Sequence, residues 1–134
     1  MGTRSTIAIQ NADNTVTGIY CHWDGYLEHN GRILAENYTD EAKVRELIAL
    51  GDLSSLGDCI GEKVDFNDYD SHNGQCVAYG RDRGETGVAA ATFDSHAELV
   101  EQIGQEYDYL FVNGAWTVAQ GNGHVTLTEA LEAA

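Results

Sequence analysis

Tyr109-Leu110-Phe111-Val112-Asn113-Gly114-Ala115-Trp116-Thr117-Val118-Ala119-Gln120 is the stretch whose reading decides the fold. Asn-Gly is the preferred pair for a type I′ turn, in which both central residues take a left-handed backbone. Apolar and β-forming residues flank it on both sides, so the segment predicts a tight antiparallel hairpin. Upstream, Ser95 or Asp94 is placed to cap a helix running to about Gln105. Its inward residues are Leu99, Val100, Ile103 and Tyr107. Downstream, a Gly121-Asn122-Gly123 loop leads to a short helix over Thr128–Ala133.

A second hairpin is predicted at the other end of the chain. Arg4–Gln10 alternates, with Ser5, Ile7 and Ile9 on one face and Thr6 and Ala8 on the other. Asn11-Ala12-Asp13-Asn14 is a turn by composition. Thr15–Trp23 is a second strand, and Gly18 within it marks a bulge. A helical pattern follows from about His29 to Tyr38, broken from the strand by Asp24-Gly25. Thr39 then reads as the N-cap of a helix that turns Val44, Leu47, Ile48 and Leu50 inward and closes at Gly51. Leu53–Leu56 reads as one short helical turn, 57–74 as irregular, Gln75–Gly80 as a strand, Arg81–Gly87 as a polar loop and Val88–Phe93 as a strand. Irregular alternation of strands and helices with two hairpins predicts an α+β fold. It should be a single compact domain over 1–134, with a mainly antiparallel sheet and two to four helices.

The chain has 134 residues, of which 43% are hydrophobic, enough for a packed core and against wholesale disorder. No apolar run approaches the roughly 18 residues of a membrane span. The N-terminal stretch has no apolar core of a secretory signal. Met1-Gly2 with Thr6 matches the loose N-myristoylation pattern, but the strand that follows would draw the terminus into a sheet. Proline is absent, and no Gly/Ser-rich tract marks a domain boundary. Seven Lys and Arg against 22 Asp and Glu give a formal charge of −15. Such a field opposes direct binding of nucleic acid or of an anionic membrane and favours a basic protein partner. Cys21, Cys59 and Cys76 are odd in number and far apart, with no CxxC pair, which points to free thiols in a reducing cytoplasm.

Three constellations carry candidate chemistry. The first is Cys21-His22-Trp23-Asp24-Gly25-Tyr26. On a strand, Cys21 and His22 point to opposite faces, so they cannot share a substrate or a metal ion. His22 and Asp24 share a face, where a charge-assisted pair is open to them. The bland alternative is a packed corner of Trp23 and Tyr26 with Asp24 capping the turn. The second is the acidic loop Asp65-Phe66-Asn67-Asp68-Tyr69-Asp70-Ser71-His72-Asn73-Gly74. It fails the EF-hand pattern in both registers, because neither supplies the required Gly and Glu. The third is the stretch from Gly84 to Ala134: 51 residues with eight acids and no Lys or Arg. On the predicted helix, Asp94, Glu98 and Glu101 fall at i, i+4 and i+7, about 5–6 Å apart. That row is either a solvated face or a decoy that approaches the per-strand charge spacing of DNA, about 3.4 Å. No phosphate loop, nucleophile elbow, zincin motif or dinucleotide fingerprint is present, so neither a catalytic residue, a metal nor a cofactor is assigned.

Met1-Gly2-Thr3-Arg4-Ser5 with Ile19–Tyr26, Gly31, Leu34, Tyr38-Thr39-Asp40, Leu47-Ile48 and Gly51–Ser54 resembles a family of small acidic proteins encoded in phage and prophage genomes. The aromatic hairpin Tyr107–Trp116 fits it as well. The resemblance covers most of the chain and implies a phage accessory protein acting in the cytoplasm of a bacterial host. By analogy it implies an inhibitor of host immunity, of the anti-CRISPR or anti-restriction type.

The leading expectation is therefore a non-enzymatic inhibitor. It would dock an acidic surface, Asp65, Asp68, Asp70, Asp94, Glu98 and Glu101, on the basic nucleic-acid-binding groove of a host defence protein or ribonucleoprotein complex, as a DNA mimic. The alternative is a binder of a nucleotide-like small molecule, such as an immune signalling molecule. Its pocket would comprise Arg4, His22, Trp23, Asp24 and Tyr26, with Trp23 or Tyr26 stacking a base and Arg4 pairing a phosphate. An enzyme built on His22 and Asp24 is the third class.

Overall fold

The computed structural model describes residues 3–120 and 123–133. The Met1-Gly2 acylation pattern and the Gly121-Asn122 part of the predicted loop lie outside them. In chain order the elements are β1 (Ser5–Gln10), β2 (Val16–Cys21), α1 (Arg32–Asn37), α2 (Glu41–Ala49), β3 (Leu53–Ser55), β4 (Val77–Ala78), α3 (Tyr79–Arg83), β5 (Ala91–Phe93), α4 (His96–Ile103), β6 (Tyr107–Val112), β7 (Ala115–Gln120), β8 (Gly123–Thr126) and α5 (Leu127–Ala133). A π-helical turn, Leu27–Gly31, runs directly into α1, and a 3-10 turn covers Tyr69–Ser71.

One sheet holds all eight strands, in the order β4-β3-β2-β1-β6-β7-β8, with β5 also on β2. Both predicted hairpins are there. β1 pairs antiparallel with β2 from Ser5↔Cys21 to Gln10↔Val16. β6 and β7 meet across Asn113 (φ 54°) and Gly114 (φ 79°), as a type I′ turn demands. The sheet is mainly antiparallel, and the fold is α+β in a single compact domain. Two pairings are parallel, β1 with β6 and β2 with β3. A parallel pair needs a long crossover, and the chain from β2 through α4 supplies one.

The sheet is covered on both faces. Ile7, Ile9, Ile19, Tyr109 and Phe111 meet Leu34 and Tyr38, Val44 and Leu47 of α2, and Leu127 of α5. On the other face Ala8, Val16 and Leu110 are covered by Leu99 of α4. The central strand is therefore buried on both sides, and even Ser5 and Thr6 are fully enclosed. Thr6 offsets that desolvation by donating its hydroxyl to Asp108 Oδ1 at 2.6 Å. Trp116 donates its indole N–H to the Tyr38 carbonyl at 2.8 Å, which ties β7 to the end of α1.

Several local expectations are corrected. Leu53–Ser55 is a strand, because pairing with the end of β2 and with β4 outweighs a weak helical signal. The strand predicted over Gln75–Gly80 is only Val77–Ala78, and α3 occupies Tyr79–Arg83, where a loop was expected. The N-cap of α2 is Asp40, not Thr39, with its carboxylate accepting from the Ala42 amide at 3.3 Å. Gly18 makes no bulge: it pairs regularly with Ala8. It is small because α4 presses on it, and a Cβ there would lie 2.7 Å from Leu99 Cδ1. The helices number five among the described residues, one above the expected upper count, and β8 adds a strand. No helix among them is long and apolar enough to cross a membrane.

Candidate functional site

β2 ends at Cys21, and the next residues leave the sheet as a corner held by backbone bonds. The His22 and Trp23 amides donate to the Leu53 and Ser54 carbonyls, each at 3.0 Å. Asp24 then takes a left-handed φ of 56°, and the Gly25 amide donates to the Thr3 carbonyl at 2.7 Å. Gly25 has no room for a side chain, since a Cβ would lie 2.6 Å from Ser5 Cβ. The buried Asn30 braces the corner from inside through Ser5 Oγ, Cys21 Sγ and the Trp23 carbonyl. Tyr109 donates its hydroxyl to the Gly25 carbonyl at 2.6 Å.

This corner separates its side chains sharply. Cys21 is fully buried, and burial pushes its thiol up to about 12, so it has no thiolate character at neutral pH. His22 is half-buried and bonds the Tyr20 hydroxyl through Nδ1 at 2.8 Å, with no ion pair to Asp24. The Trp23 and His22 rings stand nearly perpendicular at a centroid distance of 4.7 Å. Trp23 (41% exposed) and Tyr26 (39%) are the two large hydrophobic residues left open to solvent among the described residues. Burial raises the Tyr20 phenol, while the charge of the nearby Arg4 works against the rise.

Beside the corner lies a cleft of about 400 Å³. Trp23 and Asp24 line it from the corner, Ser54 and Ser55 from β3, Phe66 and His72 from the acidic loop, and Val77 from β4. Of the five residues proposed for a pocket, two thus line one cleft. His22 bonds Tyr20 instead, the Arg4 charge acts on the Tyr20 phenol, and Tyr26 packs near His29. Phe66 and His72 were not anticipated as partners of Trp23. The available signal was Phe66 itself, an apolar ring set among the acids of a solvated loop.

The acidic loop is brought to the cleft by an internal clamp. Arg81 donates to the Ile60 carbonyl at 2.9 Å, to the Cys76 carbonyl at 2.8 Å and to Asp82 Oδ1 at 3.0 Å. Asp82 accepts in turn from the Val64 and Ala78 amides. Burial alone would raise the Asp82 carboxyl, but these hydrogen bonds outweigh it and hold the group below the usual carboxylate range. Next to the clamp, the Arg83 guanidinium lies over the rings of Phe66 (4.8 Å) and Tyr79 (4.7 Å).

The six candidate acids fall in two places. Asp65, Asp68 and Asp70 are exposed on the cleft loop, where Asp65 and Asp68 accept from the Asn67 and Asp70 amides. Asp94, Glu98 and Glu101 belong to the α4 region, which packs against β2 and β5. The predicted three-acid helical row is corrected to two. Ser95 is the N-cap, with extended φ and ψ, so Asp94 precedes the helix. Glu98 folds back so that Oε2 accepts from the Asp94 amide at 3.2 Å, while Glu101 stays exposed. The four ion pairs among the described residues involve Glu36, Glu41, Asp82 and Glu85, and none of these six acids. No group of three or more His, Cys, Asp or Glu among the described residues is arranged to hold a metal ion. Compared with protein-family models, with curated proteins and with solved structures, the chain finds no match.

Proposed function

We propose that this chain is a non-enzymatic inhibitor of the anti-defence type, acting in a bacterial cytoplasm. It docks its acidic surface on the basic, nucleic-acid-binding groove of a host immune protein or ribonucleoprotein complex and excludes nucleic acid by competition. The observation that carries this reading is the uncompensated charge. Asp65, Asp68, Asp70, Asp94, Glu98 and Glu101 have no ion-pair partner among the described residues of a chain of net charge −15. Repulsion among solvent-facing carboxylates within a Debye length, about 8 Å at physiological ionic strength, is relieved when a basic groove covers them. The likeness to small acidic phage proteins supports the same context.

The test is co-purification from a bacterial host extract at several salt concentrations, with and without competing duplex DNA. The partner should be retained at low salt, released at moderate salt and displaced by DNA. Retention that ignores both salt and DNA refutes the mimic. A second reading, a pocket for a nucleotide-like molecule, is favoured by the exposed Trp23 in its cleft. The carboxylates around that cleft oppose it, since a phosphate there would meet Asp24 and the acidic loop.

A further inference from the structure

The acidic loop and the aromatic cleft form one surface, and the cleft has a selectivity of its own. Trp23 offers an indole that is 41% exposed, while Phe66, whose ring already carries the Arg83 guanidinium at 4.8 Å, lines the cleft from the acidic loop. Asp24, half-buried, lines the same space, and its carboxylate has no hydrogen-bond or ion-pair partner among the described residues. An unpaired carboxylate beside an open indole attracts a cation: the indole through its negative face, the carboxylate through charge-assisted hydrogen bonds. Exposed Asp65, Asp68 and Asp70 on the adjoining loop reinforce that sign and repel a phosphate.

Between the two protein cations, the geometry favours the guanidinium. It is planar, so it can lie on a ring while its N–H edge donates to a carboxylate, whereas an ammonium is a compact, strongly hydrated point charge. The fold already contains one such arrangement. Arg83 lies over Phe66 and Tyr79 at 4.8 and 4.7 Å while its terminal nitrogen donates to Glu85 at 2.8 Å. The cleft, at about 400 Å³, has room for a guanidinium and its methylene stem. We propose that the cleft of Trp23, Asp24 and Phe66 is a socket for an arginine side chain of a basic protein partner. This rests on the docking function above and names the anchor of that interface.

The probes are three short peptides titrated into the full chain: an Arg-Gly repeat, its Lys counterpart and its citrulline counterpart. Tryptophan emission and calorimetry report binding. The arginine peptide should bind and shift the emission, the lysine peptide should bind about fivefold more weakly, and the neutral citrulline peptide should not bind. Asp24→Asn suits the left-handed backbone at this position, because Asn tolerates positive φ. Asp24→Asn and Trp23→Leu should each weaken the arginine peptide about tenfold and abolish the preference over lysine, with unchanged circular dichroism. A triple Asp65→Lys, Asp68→Lys, Asp70→Lys variant should weaken both cationic peptides alike.

Equal affinity for arginine and lysine, unchanged by Trp23→Leu and Asp24→Asn but lost in the triple variant, overturns the socket and leaves the docking surface standing. Cationic binding indifferent to all these substitutions overturns both. Adenosine monophosphate saturating the Trp23 signal, with the peptides silent, overturns the socket in favour of a nucleotide pocket.

Discussion

His96 should make the fold sensitive to mild acid. It sits in the first turn of α4, 6% exposed, and Nδ1 lies 2.7 Å from Nε2 of His124 on β8. Its own Nε2 is buried without a hydrogen-bond partner. Burial first, and the charge of His124 second, lower its pKa from 6.5 to about 4. The unfolded chain therefore binds more protons at this position between those values, and stability must fall as the pH drops. The contribution is complete above 6.5 and is lost progressively toward 4. Integrating the linkage from about pH 7.5 to about pH 5 gives a loss of about 2 kcal/mol, measurable against a typical 5–15 kcal/mol of total stability. The reference is His96→Leu, which removes the titrating group and the orphaned nitrogen while placing an apolar side chain at that buried position of α4. Urea unfolding of both proteins across this range cancels the carboxylates they share. The wild type should lose about 2 kcal/mol relative to the variant on going to about pH 5. Parallel curves would refute the reasoning, because they would place His96 in water or already protonated in the folded chain.

Other outcomes follow from the same structure. Asp94→Lys with Glu101→Lys should cut the affinity for a basic partner and flatten its salt dependence, read by titration at several NaCl concentrations. Arg81→Ala removes the bonds to the Ile60 and Gly61 carbonyls that hold the loop over 57–66, together with those to Cys76 and Asp82, and should cost about 2–4 kcal/mol, with faster amide exchange in the loop and little change in the β6–β7 hairpin. Gly18→Ala should cost about 1–3 kcal/mol because the new methyl meets Leu99 Cδ1 and Ala8 Cβ, and Leu99→Ala in the same chain should return part of that loss in urea melts.

What the sequence determined by itself was local. The Asn113-Gly114 turn, a cap at Ser95 or Asp94, the alternation of Ser5 to Gln10 and the helical spacing of Val44, Leu47 and Ile48 each specify their element. The reason is that turn dihedrals, caps and hydrophobic period act over a few neighbouring residues. The exposure of Trp23 and the neutrality of Cys21 needed the fold, since both follow from which side of the corner is packed against Asn30 and Ser5. Leu53–Ser55 became a strand only because the end of β2 presented an open edge to it. The candidate site was the least legible part. Trp23 and Phe66 are far apart in sequence, and nothing local to either names the other. They line one cleft because β3 pairs with β2, and because Arg81 and Asp82 clamp the loop that carries Phe66. Short-range rules are written into neighbouring residues, whereas a cleft between distant segments is set by which edges pair and which loops are tied down, and those are decided only when the whole core is buried at once.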